Sequence, residues 1–159
     1  MLQGIIMTSA PPLTIAVGSD HAGPALKALL ADSLREAGHT VLDLGTDGPA
    51  SVDYPDFAHA VCRAVEQGQA RFGLLICGTG LGMSIAANRH GGIRCALCTD
   101  ASTARLSREH NDANVLALGA RIVGDVLALD ILAAFLATAY AGGRHDRRIA
   151  KLSPTQDKP

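Results

Sequence analysis

Tryptophan is absent, and two tyrosines with three phenylalanines make aromatics only 3% of the 159 residues. Few side chains are left to stack on unpaired bases, which argues against a single-stranded nucleic-acid binder. An excess of one charge is lacking too. Fourteen Lys and Arg face fifteen Asp and Glu, a formal net charge of −1, so no overall basic surface invites a polyanion. No apolar run approaches the roughly 20 residues of a membrane-spanning helix. The opening MLQGIIMTSAPP lacks the basic start, longer apolar stretch and small-residue cleavage site of a secretory signal. Four cysteines in apolar patterns do not make a disulfide-stapled scaffold. Together these absences predict reduced thiols and a cytoplasmic protein, with neither membrane nor nucleic acid as partner.

What is present is a chain 48% hydrophobic, enough for one domain with a sizeable core. Residues 1–12 read as a disordered leader, 13–152 as a single domain and 153–159 as a flexible tail. Strand and helix signals alternate five times. LTIAVG (13–18), HTVLDLG (39–45), FGLLICG (72–78), IRCALCT (93–99) and ANVLALG (113–119) read as strands. The third is apolar throughout, as a strand buried on both faces should be. Helices are predicted over PALKALLADSLREAG, with leucines on one face and Gly38 as stop, and over YPDFAHAVCRAVEQG, with Pro55 near its start and Gly68 at its end. LGMSIAANRH and ASTARLSREHN give the third and fourth. DVLALDILAAFLATAYAGG reads as one long apolar helix closed by Gly142–Gly143, and RHDRRIAKL suggests a short one beyond it. This alternation predicts βαβ units with right-handed crossovers: a Rossmann-like, three-layer α/β/α domain around a five-stranded parallel sheet.

Ligands in such folds bind beyond the carboxyl ends of the strands. Those ends carry Asp20–His21, Gly45–Thr46, Cys77 to Gly82, Thr99–Asp100 and Gly119 to Arg121. The richest is Leu74–His90, LLICGTGLGMSIAANRH, in which a strand meets a cysteine, a Gly-Thr-Gly-Leu-Gly turn and a helix. A dinucleotide fingerprint fails there, because its third glycine falls on Met83 and the turn follows the third strand, not the first. GSDHAGPA is no P-loop either, since Pro24–Ala25 stand where Lys-Ser/Thr belong. Cys95 and Cys98 lie three apart on a strand and point to opposite faces, and no second ligand pair has zinc spacing. They and Cys62 read as buried structural thiols.

By default Cys77 is one more small buried hydrophobe. Its position at a strand end, before a helix N-terminus, argues otherwise: unpaired N–H groups there favour a thiolate and would stabilise a developing oxyanion. The stretch therefore reads as a base beside an anion hole. Arg144 and Arg148, four apart, would share one helical face and could grip a phosphate, although such a basic tail is ordinarily a solvated surface. A lone His21 or His110 is more often structural, and only the set of residues lifts either.

Five motifs in order, GSDHAG, DYPDFA, ICGTGLGMSIAAN, SREHNDANVLALGAR and GGRHDRR, resemble the ribose-5-phosphate isomerase B family, which includes galactose- and allose-6-phosphate isomerases. The resemblance runs from Ile15 to about Lys151. It implies an aldose–ketose isomerase of sugar phosphates that works through a cis-enediolate, with no metal or other cofactor, as a dimer or tetramer. By position, Cys77 resembles the base that moves a proton between C1 and C2. Thr79 and the backbone of Gly78, Gly80, Leu81 and Gly82 resemble the groups holding the enediolate oxygens. His110 resembles the acid that opens the sugar ring, with Asp20 nearby, and Asp20, His21, Asn111, Arg121, Arg144 and Arg148 resemble substrate and phosphate ligands. A second branch of the family carries a glutamate base where Met83 stands here, and methionine cannot take a proton, so the resemblance implies the cysteine branch.

Ribose 5-phosphate is the expected substrate, with a hexose 6-phosphate or a non-catalytic sugar-phosphate module as the alternatives. In simple βα topology the C-terminal ends of helices lie far from Cys77. His110, Asn111, Arg144 and Arg148 are therefore expected to reach it from a second subunit of a homodimer or tetramer.

Overall fold

The computed structural model describes residues 11–152; the predicted leader up to residue 10 and the tail 153–159 lie outside the described residues. Five strands form one parallel sheet: β1 (Thr14–Ser19), β2 (Thr40–Asp43), β3 (Phe72–Cys77), β4 (Cys95–Leu97) and β5 (Val115–Gly119), in the order β2-β1-β3-β5-β4. Six helices accompany them: α1 (Pro24–Glu36), α2 (Tyr54–Glu66), α3 (Leu81–Ala87), α4 (Ala101–Asn111), α5 (Asp125–Ala137) and the short α6 (Asp146–Ile149), which a 3-10 turn (Gly143–His145) precedes.

The two faces of the sheet carry separate apolar layers, because alternate strand residues point to opposite sides. Leu26, Leu30 and Leu34 of α1 pack with Ile131, Leu132 and Phe135 of α5 on Val17, Leu74 and Leu116. Val61 of α2 and Met83 of α3 cover Ala16, Leu75 and Ala117 on the other. β3 is buried along its whole length, as its unbroken apolar sequence predicts. Cys98 belongs to the α1–α5 layer and Cys95 packs against the opposite one, so the two thiols do diverge.

Helix ends follow local chemistry. Pro24 and Pro55 sit in first turns, where a missing N–H costs nothing. After α1, Gly38 takes φ +87°, donates its N–H to the Arg35 carbonyl, and is followed by His39 donating to Leu34. Gly68 repeats this after α2, with bonds to Val65 and from Gln69 to Ala64. These are paired C-terminal caps in which glycine supplies the left-handed residue. Asp100 caps α4, its carboxylate accepting the Thr103 N–H at 2.7 Å.

Four expectations need correcting. The fourth strand is only Cys95–Leu97, a short edge strand, and Cys95 is half-buried where full burial was expected. The long apolar helix stops at Ala137, before Gly142–Gly143. Thr138 turns extended and bonds its hydroxyl back to the Ala134 carbonyl at 2.7 Å, and Ala141 donates its N–H to Glu109 of α4 instead of continuing the helix. Arg144 and Arg148 consequently sit on the 3-10 turn and on α6, not on one continuous helix. No helix among the described residues is long and apolar enough to cross a membrane.

Candidate active site

The strand order reverses between β1 and β3: β1 leads outward to β2, while β3 continues toward β5. This switch point is where open α/β sheets bind ligands, and it is where the Cys77 turn lies. Asp20, the first residue after β1, donates its N–H to the Ile76 carbonyl of β3 at 3.1 Å, which sets it beside Cys77. Its carboxylate, 8% exposed, accepts the Ala22 N–H at 2.9 Å. His21 follows, half-buried, its Nδ1 accepting the Val52 N–H at 3.3 Å.

Cys77 is 4% exposed, and its sulfur accepts the Gly80 N–H at 3.1 Å, a role a thiolate fills better than a thiol. At the other three cysteines burial disfavours the charged form. Burial, reinforced by Glu66 and opposed by Arg63, pushes Cys62 up to about 12. Burial and Asp100 push Cys98 up to about 11, and burial with the neighbouring Cys62 and Cys98 also raises Cys95.

The glycines of the turn make room. Gly80 takes φ +78°, and a Cβ there would lie 2.5 Å from the Leu97 side chain and 2.9 Å from the Leu118 backbone. On β5, a Cβ at Gly119 would lie 2.6 Å from the Thr79 backbone. The β3 and β5 turns are thus packed backbone to backbone, and Ala120 and Arg121 donate N–H groups to the Cys77 and Gly78 carbonyls at 2.8 and 3.0 Å. This brings the Arg121 guanidinium beside Gly78, with Nη1 3.3 Å from where a Cβ would stand. Thr79 is exposed, and its Oγ1 accepts the Leu81 N–H at 3.2 Å. Tyr54, which sequence reasoning did not single out, lays its ring over Gly82, 2.7 Å from a Cβ position there. Only the missing side chain at Gly82 admits it, and no spacing rule links those two positions.

One edge of the sheet therefore gathers Asp20, His21, Cys77, Gly78, Thr79, Gly80, Leu81, Gly82 and Arg121. The remaining predicted residues lie elsewhere. His110 and Asn111 end α4 at the opposite edge, where the Asn111 carbonyl accepts Arg94 Nε, just before β4, at 3.0 Å. A cleft of about 240 Å³ there is lined by His110, Asn111, His145, Arg148, Ile149 and Leu152. His110 stacks on His145, with centroids 4.5 Å apart and planes 16° from parallel. His145 is 8% exposed. Burial holds its imidazole below the ordinary 6.5, with the charges of His110, Arg144 and Arg148 adding to this and Glu109 opposing. Its position inside GGRHDRR was the one available signal for it. Arg144 and Arg148 are both exposed. Among the described residues, no group of three or more His, Cys, Asp or Glu side chains is placed to hold a metal ion.

Residues 15–152 match the family model described as Ribose/Galactose Isomerase. Ribose-5-phosphate isomerase B of Escherichia coli is 46% identical over 144 residues, covering 91% of this chain and 97% of that protein. Among solved structures, ribose-5-phosphate isomerase B of Clostridium thermocellum superposes with a TM-score of 0.87 at 54% identity, over 88% of this chain and 95% of that one. The Thermotoga maritima enzyme gives 0.87 at 50% identity, over 89% and 97%. Sequence and fold agree along nearly the whole chain, with the thiol and its glycine turn at the switch point, and the protein belongs to the ribose/galactose isomerase family.

Proposed function

We propose that this isomerase interconverts ribose 5-phosphate and ribulose 5-phosphate through a cis-enediolate, with Cys77 as the base, and so belongs to the cysteine branch of its family. The observation that carries this reading is the Gly80 N–H donating to Cys77 Sγ at 3.1 Å, on a glycine turn at the switch point. Proton transfer between the two carbons needs a base that can take and return one proton, and donors aimed at the oxygens as charge develops. Deprotonated Cys77 takes the C2 proton of the open-chain aldose. The C2–H electron pair forms the C1=C2 double bond and the carbonyl pair moves onto the C1 oxygen, giving the enediolate. The C2 hydroxyl proton passes to the C1 oxygen, and return of the proton from Cys77 to C1 leaves C2 as the ketose carbonyl. Thr79 and the N–H groups from Gly78 to Gly82 hold the oxygens. Met83, fully buried in the apolar layer under α3, has no proton to give or take.

His110 protonates the ring oxygen and opens the sugar, with Asp20 nearby. Arg121, Arg144 and Arg148 with His21 hold the phosphate, and Asn111 binds the sugar. Because one chain keeps His110 and Asn111 away from Cys77, the working unit is a homodimer, or a tetramer built from dimers, whose sites join both subunits. Neither metal nor other cofactor takes part, and chelator should leave the rate unchanged. Four unpaired thiols suit a reducing cytoplasm.

The test is turnover of the purified chain alone on a panel of pentose 5-phosphates and hexose 6-phosphates. Ribose 5-phosphate should give the highest kcat/KM; a hexose phosphate in that place would overturn the substrate and leave the chemistry. Cys77→Ser should fold normally and lose roughly 10²–10⁴-fold in turnover, the usual scale for a missing general base. Near-normal turnover in folded Cys77→Ser would remove Cys77 from its role.

A further inference from the structure

Lys27, on the first turns of α1, is 2% exposed. Lysine is almost never buried without partners, and both of its partners come from one segment. Nζ lies 2.6 Å from Asp43 Oδ1 and 2.9 Å from Asp47 Oδ1, carboxylates 34% and 84% exposed. A buried cation thus reaches outward to hold the end of β2 at Asp43 and, through Asp47, a surface strap, residues 44–53, which joins β2 to α2. The strap lies along the end of β1. Ser19 donates its N–H to Gly45 at 2.7 Å, Thr46 donates to Ser19 at 2.8 Å, and Gly45 donates to Asp43 Oδ1 at 3.0 Å. Farther on, Val52 donates its N–H to His21 Nδ1 at 3.3 Å. A ring nitrogen that accepts a backbone N–H carries no proton, so neutral His21 must hold its proton on Nε2.

We propose that Lys27 is a positioning residue for His21. By gripping Asp43 and Asp47 it keeps the strap on the β1–α1 turn, so that Val52 occupies Nδ1 and Nε2–H is the donor offered to substrate. The last step rests on the reading of His21 as a substrate ligand; the strap and the tautomer do not.

The experiment records imidazole ¹⁵N–¹H correlation spectra of the full chain, with His21 signals assigned by their loss in His21→Ala, alongside kcat and KM for ribose 5-phosphate. The parent should show His21 as a single Nε2–H tautomer. In Asp47→Ala, which removes an exposed carboxylate and leaves the core intact, His21 should become a tautomer mixture. KM should rise roughly three- to tenfold, the scale of one lost hydrogen bond, with kcat within about twofold of the parent. Lys27→Met should go further in the same direction, and Lys27→Arg should restore much of the parent spectrum. Should Lys27→Met fail to fold, Asp47→Ala decides alone. An unchanged His21 tautomer in folded Asp47→Ala overturns the proposal. So does a changed tautomer with unaltered KM, provided His21→Ala itself raises KM. If His21→Ala leaves KM unaltered, His21 is not a substrate ligand, and the spectra still decide whether Lys27 positions it.

Discussion

Chemistry at the level of single residues turns on where a group sits more than on what it is. Four thiols share one small domain, and burial disfavours the charged form at three of them, while the fourth meets a backbone donor at a strand end. The histidines divide in the same way. His145 lies under His110 with its folded-state pKa depressed below 6.5, chiefly by burial. The unfolded chain therefore binds more protons than the native one as pH falls through about 6.5, and stability must drop there. The drop stops growing once pH lies below the folded-state value. Urea midpoints measured from about pH 7.5 to about pH 5 should show this fall, and His145→Gln should flatten it. A midpoint that falls equally in both proteins would place the titration elsewhere. Glu66 acts in a separate window: hydrogen bonding from His90, ahead of the Gly92 N–H, holds it below 4.5. Its support is present above 4.5 and lost as pH falls through its lower folded-state value.

Elements were legible where local chemistry closes on itself. The glycine stops at Gly38 and Gly68, the prolines in first turns and the apolar third strand all act within a few residues, so the sequence displays them. Gly38 isolates one such effect. Its φ is +87° and nothing lies within 4 Å of where a Cβ would stand, so Gly38→Ala meets no clash and bears only the cost of a left-handed L-residue. A loss of about 1–2 kcal/mol in urea denaturation, with kcat/KM unchanged, is expected. A neutral result would mean that the cap is not held in that conformation. Elements misread from the sequence were those whose ends are set by distant partners. Thr138–Ala141 has helix-compatible composition, but the Glu109 carbonyl of α4 and the hydrogen bond from Tyr140 to Asp146 at 2.7 Å draw it away from α5. Tyr54 over Gly82 was illegible for the same reason: the contact joins α2 to α3, and no local pattern encodes it. At the site, the strand-end residues could be found because parallel topology puts all such ends on one edge. The grip of Lys27 on Asp47 could not, since it spans 20 residues of sequence.

For the whole molecule, the proposed residues fall into two groups at opposite edges of the sheet, and the sheet itself keeps them apart. One folded chain does not bring them together, since the end of α4 is bonded to Arg94 just before β4. A second copy can. Exposed apolar side chains flank the Cys77 edge, Leu81 and Ile85 on α3 and Ile122 and Val126 around the start of α5, each more than half exposed. At the other end, Ile149 and Leu152 line the cleft beside His110. In a two-fold dimer every contact occurs twice, so each of two sites would take Cys77 from one chain and His110 from the other. Complementation follows from that symmetry. Cys77→Ser and His110→Ala are each expected to be inactive alone. When they are unfolded together and refolded in equal amounts, half of the dimers should be mixed, and in each mixed dimer one site regains both native residues. The other site carries both substitutions. Activity should then return to about a quarter of the parent value for random pairing, with unchanged KM. No recovery, in a sample shown by mass spectrometry to contain mixed dimers, would place Cys77 and His110 in the same chain's site and overturn the shared arrangement. Full activity of a chain that stays monomeric at assay concentration would do the same.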